Sequence, residues 1–324
     1  MIFSPGHSGA RHSILAAGQR DTTRHVRYHP TLGCNGRTLK LDRPRICGIL
    51  NLTDDSFSGD GLRDDVEAAV AQGVAMVERG ADMLDVGAES TRPGARPVSV
   101  DDEVARVVPV IEALMKRVEV PISIDTSKPE VMRAAVAAGA GFINDVYALR
   151  REGALDAAAD LKVPVCVMHM RGEPGTMQDD PRYDDVVGEV HRFLAERVFA
   201  CEMAGIDKRR VLVDPGFGFG KTLEHNLALL RALDRFRDLA AGVFAGVSRK
   251  AMIGALTGRD AGADRAAGSA AAAMIAVQRG AMIVRVHDVA ATRDALTVWQ
   301  AVQEGDAPVK AEPKPFGSQR FGDD

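Results

Sequence analysis

The chain has 324 residues, 46% of them hydrophobic, which is ample for one large barrel or two ordinary domains and argues against a disordered or fibrous protein. A net charge of −4 argues against a nucleic-acid surface spread over the whole molecule, while leaving room for a local anion pocket. Cys34, Cys47, Cys166 and Cys201 lie far apart with no Cys-x-x-Cys pair, so neither a disulfide framework nor a zinc site is indicated and a reducing cytoplasm fits.

In chain order, residues 1–44 are rich in Arg and His, hold only Asp21 and Asp42 as acids and show no hydrophobic periodicity. They read as a loose extension, a bacterial leader segment or over-early start in preference to a transit peptide. From residue 45 to 304, short apolar runs alternate with amphipathic stretches of helical length. The first run is ICGILN (46–51), followed by a helix from about Asp64 to Arg79. Further strands are predicted at 82–87, 121–125, 141–146, 163–168, 211–214, 242–247 and 281–286, each followed by a helix, which makes eight βα units. Eight such units have the size of a single (β/α)8 TIM barrel, an α/β fold; the alternative is a doubly wound open sheet, whose glycine fingerprint is missing after the first strand. The longest apolar candidate for a membrane span, from Ala266, is broken by Gln278 and Arg279 before reaching roughly 18 residues. Residues 305–324 are Pro, Gly and charge without a packing face, and are predicted to form a disordered tail.

A TIM barrel builds its active site where strands end and βα loops begin. Every predicted strand ends in polar residues: Asn51, then ESTRPG (89–94), Asp125, Asn144 with Asp145, His169, Asp214, then Ser248, Arg249 and Lys250, and finally Arg285 with His287. One such residue is usually a cap or turn residue; all eight strands ending this way points to a site. The stretch DPGFGFGKT (214–222) resists two familiar readings. A Walker A loop needs a glycine where Pro215 stands, and a dinucleotide loop needs a different glycine spacing from that of Gly216, Gly218 and Gly220.

Seven motifs in order, GILNLTDDSFS (48–58), DVGAESTRPGA (85–95), SIDTSKP (123–129), INDV (143–146), DPGFGFGKT (214–222), GVSRKAMIG (246–254) and RVHDV (285–289), resemble the dihydropteroate synthases of folate biosynthesis. The resemblance implies a dimeric TIM barrel that joins 4-aminobenzoate to 6-hydroxymethyl-7,8-dihydropterin diphosphate and releases pyrophosphate. By the same resemblance Asp125, Asn144 and Asp214 bind the pterin, with Lys250 on the same side of the pocket. Thr91, Arg92, Pro93, Phe219, Ser248 and Lys250 surround 4-aminobenzoate. Arg285 and His287, two apart on a strand end, suit a diphosphate, since Arg offers a planar fork to phosphate oxygens. Asn51 is implied as a ligand of Mg²⁺, a cation that takes few protein ligands and completes its shell with water and phosphate oxygens. The expected catalytic set is therefore Asn51, Asp125, Lys250, Arg285 and His287. The expected partners are the two small-molecule substrates and a second copy of the chain, with no nucleic acid and no membrane.

Two departures stand out: Asp54 where the family most often has Pro, and GDG (59–61) where it has DGG. Asp54 adds a negative charge near a site for an aromatic acid. Two rival readings are a folate-dependent methyltransferase, which lacks a use for the SRK and RVH motifs, and a silent pterin-binding paralogue, which would be expected to lose the diphosphate residues. His191 and His225, in predicted helices, read as ordinary surface residues, and His169 as an open candidate for the pterin pocket.

Overall fold

Each long connection between the apolar strands contains a helix, so consecutive strands return to the same edge and pair in parallel. The computed structural model describes residues 30–52, 62–90, 97–173 and 175–304. Its sheet closes on itself in the order β10-β3-β4-β5-β6-β7-β8-β9. These strands are β3 (Arg45–Asn51), β4 (Met83–Gly87), β5 (Ile122–Asp125), β6 (Phe142–Asp145), β7 (Val165–Met168), β8 (Val211–Asp214), β9 (Gly242–Ala245) and β10 (Ala281–Val286). The helices around them run from α1 (Leu62–Glu78), α2 (Val100–Met115) and α3 (Pro129–Ala137) through α4 (Ala154–Leu161) and α5 (Val186–Met203). The ring is completed by α6 (Leu223–Arg231), α7 (Ala251–Thr257), α8 (Ala266–Gln278) and α9 (Val289–Glu304). This is the (β/α)8 barrel expected from the sequence.

The side-chain period of two sorts the barrel interior into layers. Met83, Phe142, Leu212 and Ile283 point inward near the N-terminal end and cluster with Phe244, whose ring stacks on Phe142 at 6.3 Å. Two residues further along the same strands stand Asp85, Asn144, Asp214 and Arg285. The inward face thus changes from apolar to charged in one step, and that step separates the core from the site.

The extension expected over residues 1–44 requires a correction at residues 30–44; residues 1–29, and the tail expected over 305–324, lie outside the described residues. β1 (Thr31–Cys34) and β2 (Arg37–Lys40) form an antiparallel hairpin with Leu32 opposite Leu39. Its two-residue turn is Asn35-Gly36, with φ of 49° and 83°, the left-handed pair that a tight hairpin needs. Leu32, Cys34, Leu39 and Leu41 are buried against Met83, Phe142 and Phe244, plugging the N-terminal mouth of the barrel. Arg37 locks the hairpin down by donating to the carbonyls of Val120, Met115 and Val118 at 2.5, 2.9 and 2.6 Å, all beyond the last turn or at the end of α2. Residues 30–44 therefore belong to the barrel.

Candidate functional site

The charged layer of the barrel interior is one connected network. Arg285 donates from Nε to Asp85 Oδ2 at 2.5 Å and from Nη2 to Asp125 Oδ2 at 2.7 Å, so its fork is held between two carboxylates. Asn144 Nδ2 donates to the same Asp85 oxygen at 3.0 Å. Burial raises Asp125 to about 7, with the carboxylates of Asp85 and Asp145 adding to the rise and Arg285 opposing it. Arg285 itself is held above its ordinary value by the two carboxylates despite burial. Asp214, 5% exposed, accepts from the Gly216 N–H at 2.7 Å; burial lifts it to about 6 against the pull of Lys250, Lys221 and Arg285. The inward layer at the C-terminal end of the strands thus carries acceptors (Asp125, Asp214), an amide (Asn144) and a cation (Arg285).

Beside it, the loop after β9 supplies a second group. The Lys250 ammonium sits 4.0 Å from the centre of the Phe219 ring, a cation–π contact in a partly buried setting. Ser248 Oγ lies 3.1 Å from His287 Nδ1 and accepts from the His287 N–H at 3.1 Å, fixing the residue that follows β10. Arg249, which adopts a left-handed φ of 56°, turns its guanidinium onto Asp288 with Nε–Oδ2 at 2.9 Å. Asn51 and His287 line one cleft at the C-terminal rim together with Ile49, Gln72, Met76 and Arg249.

The glycine loop 215–222 folds back over this rim. Gly216 and Gly220 have φ of 70° and 61°, and a Cβ on them would stand 1.9 Å from the His169 carbonyl oxygen and 2.3 Å from that of Arg171. Only glycine permits both the conformation and the approach. The loop ends in a capping box, with Thr222 Oγ1 accepting from the His225 N–H at 3.3 Å and His225 Nδ1 accepting from the Thr222 N–H at 3.2 Å. His225 is therefore a half-buried capping residue and not an ordinary surface one. His169 is buried with its Nδ1 2.9 Å from Lys221 Nζ; burial and that ammonium push it down to about 2, so it is neutral.

Of the expected site residues, Asn51, Asp125, Asn144, Asp214, Phe219, Ser248, Lys250, Arg285 and His287 all lie at the C-terminal face. Thr91, Arg92 and Pro93, and the departures at Asp54 and 59–61, lie outside the described residues. Asp145 makes no hydrogen bond to the network, acting on Asp125 only through its charge: its oxygens accept from the Tyr147 and Leu149 N–H groups at 2.8 and 2.7 Å, as a turn residue does. Sequence reasoning missed Asp85, which is fully buried and holds both Arg285 and Asn144. Its signal was available: an acid two residues after Met83 shares the inward face of β4. It also missed Lys128, whose ammonium joins Glu89 at 2.8 Å and the fully buried Glu103 at 2.5 Å.

A family model described as pterin binding enzyme matches residues 47–287. Dihydropteroate synthase of Escherichia coli (strain K12) is 50% identical over 270 residues, 83% of this chain and 95% of that one. The solved structure of Xanthomonas albilineans dihydropteroate synthase with 4-aminobenzoic acid is 63% identical, covers 85% of this chain and 99% of its own, and aligns with a TM-score of 0.81. The Xanthomonas albilineans enzyme in complex with 7,8-dihydropteroate aligns with a TM-score of 0.78 at 60% identity, over 85% of this chain and 99% of its own.

Proposed function

The chain belongs to the pterin-binding enzyme family, and on that premise we infer that it is a dihydropteroate synthase, condensing 6-hydroxymethyl-7,8-dihydropterin diphosphate with 4-aminobenzoate. The observation that carries the reading is the juxtaposition of the Asp125–Arg285–Asp85–Asn144 network with Asp214 on one side and the Lys250–Phe219 pair on the other. An aminopyrimidinone edge needs adjacent acceptors and donors, which Asp214, Asp125 and Asn144 supply. An aromatic carboxylate needs a cation and an apolar face, which Lys250 and Phe219 supply. A methyl-transferring barrel has no use for the second pair.

Reaction breaks the bond between the pterin methylene carbon and the diphosphate oxygen and forms one from that carbon to the arylamine nitrogen, with the amine proton released to solvent. The arylamine is already an unprotonated nucleophile near neutral pH, so alignment and stabilisation of the departing charge account for catalysis. Arg285 keeps a guanidinium edge beyond its two carboxylate contacts, and His287 is anchored by Ser248; both are assigned to the leaving diphosphate. Thr91, Arg92 and Pro93 are assigned with Ser248 to the 4-aminobenzoate end. Asn51 is assigned to Mg²⁺. Its amide oxygen is a hard donor of the kind that suits a cation completing its shell with phosphate and water oxygens. Bound there, Mg²⁺ supplies charge neutralisation for the leaving diphosphate.

The chain is further assigned to the cytoplasm as a homodimer. Four free buried cysteines support a reducing compartment, no helix among the described residues is long and apolar enough to cross a membrane, and exposed Ile275, Val298 and Val302 on the packed pair α8 and α9 support a covered face. The deciding experiment is pyrophosphate release by purified protein supplied with dihydropterin diphosphate, 4-aminobenzoate and Mg²⁺, each omitted in turn. Release that requires all three is expected; pterin binding without release would turn the reading to a silent paralogue.

A further inference from the structure

Lys221, the lysine of the GKT sequence, is 3% exposed and has no role in the reaction derived above. Its ammonium has three donors, and all three are used inside the protein: His169 Nδ1 at 2.9 Å, the Phe219 carbonyl at 2.9 Å and the His169 carbonyl at 3.3 Å. A phosphate-gripping role is therefore excluded by geometry. What the ammonium joins is informative: one end is the exit of β7, the other the peptide of the residue whose ring carries Lys250.

Neighbouring loop positions have their own anchors. The Gly218 N–H donates to Asn226 Oδ1 at 2.7 Å, the Gly218 carbonyl accepts from Gln178, and the Gly220 carbonyl accepts from the Tyr183 hydroxyl at 2.9 Å. For the Phe219 carbonyl that anchor is Lys221. The loop backbone also lies along the Lys250 side chain, since a Cβ on Gly218 would stand 3.2 Å from Lys250 Cδ. A turn of the Phe219 peptide would move the ring and the loop wall that together hold Lys250.

We propose that Lys221 is a positioning residue for the aromatic-acid half of the site, its buried ammonium clamping the Phe219 carbonyl to the end of β7 and so setting the ring face on which Lys250 rests. This inference rests on the synthase reading. A cation suits the task because all three of its donors can be satisfied by one imidazole nitrogen and two carbonyls; burial pulls the group down to about 7, and the Asp214 carboxylate opposes that fall.

Steady-state kinetics on the full-length protein, varying each substrate separately, test it with Lys221→Met, Lys221→Gln, Phe219→Ala and the Lys221→Met/Phe219→Ala double variant. Lys221→Met is expected to raise KM for 4-aminobenzoate by about tenfold while KM for dihydropterin diphosphate stays within about twofold, as expected for a lost buried charged hydrogen bond felt on one side of the site. Lys221→Gln, which retains a donor amide, is expected to fall between it and the unaltered enzyme. In the Phe219→Ala background, Lys221→Met is expected to add little, because the ring through which it acts is gone. Equal rises in both KM values, a loss confined to kcat, or the same effect with and without Phe219 would overturn the proposal. So would loss of the circular-dichroism signature of the fold in both Lys221 variants, which would confine Lys221 to stability. An inactive unaltered enzyme would instead remove the synthase reading itself.

Discussion

Asp85→Asn isolates the contribution of one negative charge to the network at nearly constant shape. In the native site one oxygen, Oδ2, accepts from both Arg285 Nε at 2.5 Å and Asn144 Nδ2 at 3.0 Å, while Oδ1 is buried without a hydrogen-bond partner among the described residues. The asparagine oxygen can replace Oδ2 and keep both donors, which puts its NH₂ where no acceptor stands. Exchanging a charge-assisted bond for a neutral one loses about 1 kcal/mol, and the orphaned amide adds about 1–2 kcal/mol. The sum, about 2–3 kcal/mol, is a large part of the stability of an ordinary domain. Arg285 retains Asp125 at 2.7 Å and remains in place, but with one carboxylate holding it where two did. Urea denaturation at pH 7 is expected to show the loss, and pyrophosphate release is expected to fall about tenfold or more because the guanidinium loses its aim. A variant within about 0.5 kcal/mol of the parent and equally active would refute the claim that Asp85 orients Arg285.

Three further outcomes follow from the same geometry. Arg285→Lys keeps the charge but cannot span Asp85 and Asp125 with one planar group, so kcat/KM is expected to fall by about 100-fold, and a change under about threefold would show that the fork is not needed. Leu41→Ala, at a fully buried residue of the mouth plug, is expected to cost about 2–5 kcal/mol in a denaturation experiment with little change in KM, since it lies at the opposite end of the barrel from the site. With Asp214 raised to about 6, its ionised form falls to about one part in eleven at pH 5, and Asp125, raised to about 7, is protonated over the same range, so calorimetric affinity for a pterin ring is expected to drop at least about tenfold between pH 8 and pH 5. The sign for stability is opposite: Asp125 and Asp214 are both raised above the unfolded value near 3.9, so these two carboxylates are expected to cost the ligand-free protein stability as pH climbs from about 4 to 7, with the depressed His169 opposing them up to its unfolded value near 6.5.

The barrel was legible because its strands are doubly buried and its helices amphipathic, two periods that sequence displays directly. The plug was not, although its signals are there: Leu32 and Cys34 alternate on one strand, Leu39 and Leu41 continue the other, and Asn35-Gly36 is the strongest short hairpin turn. They are spread over only eight paired residues next to an Arg- and His-rich segment, and two four-residue strands have no stability until they find the open mouth of a barrel. The reason residues 30–44 are ordered lies in Phe142 and Phe244, which are more than a hundred residues away in sequence.

The site was legible where polarity appears at strand ends and hidden where it appears inside strands. Asp85 sits in the middle of MLDVG, where an apolar surround suggests burial and nothing local names its partner, Arg285, 200 residues later. The barrel resolves this by register: a strand position two before its end faces the same interior as the end itself, so Met83, Asp85 and Gly87 form one inward column. Lys221 shows the converse. Its neighbours in sequence make it look like a phosphate ligand, and only the fold shows its three donors turned inward onto His169 and Phe219. A lysine after a glycine loop is thus assigned by where its donors can be satisfied: in a nucleotide loop the phosphate oxygens satisfy them, and here the protein's own carbonyls and an imidazole do, which makes the residue part of the wall of the site.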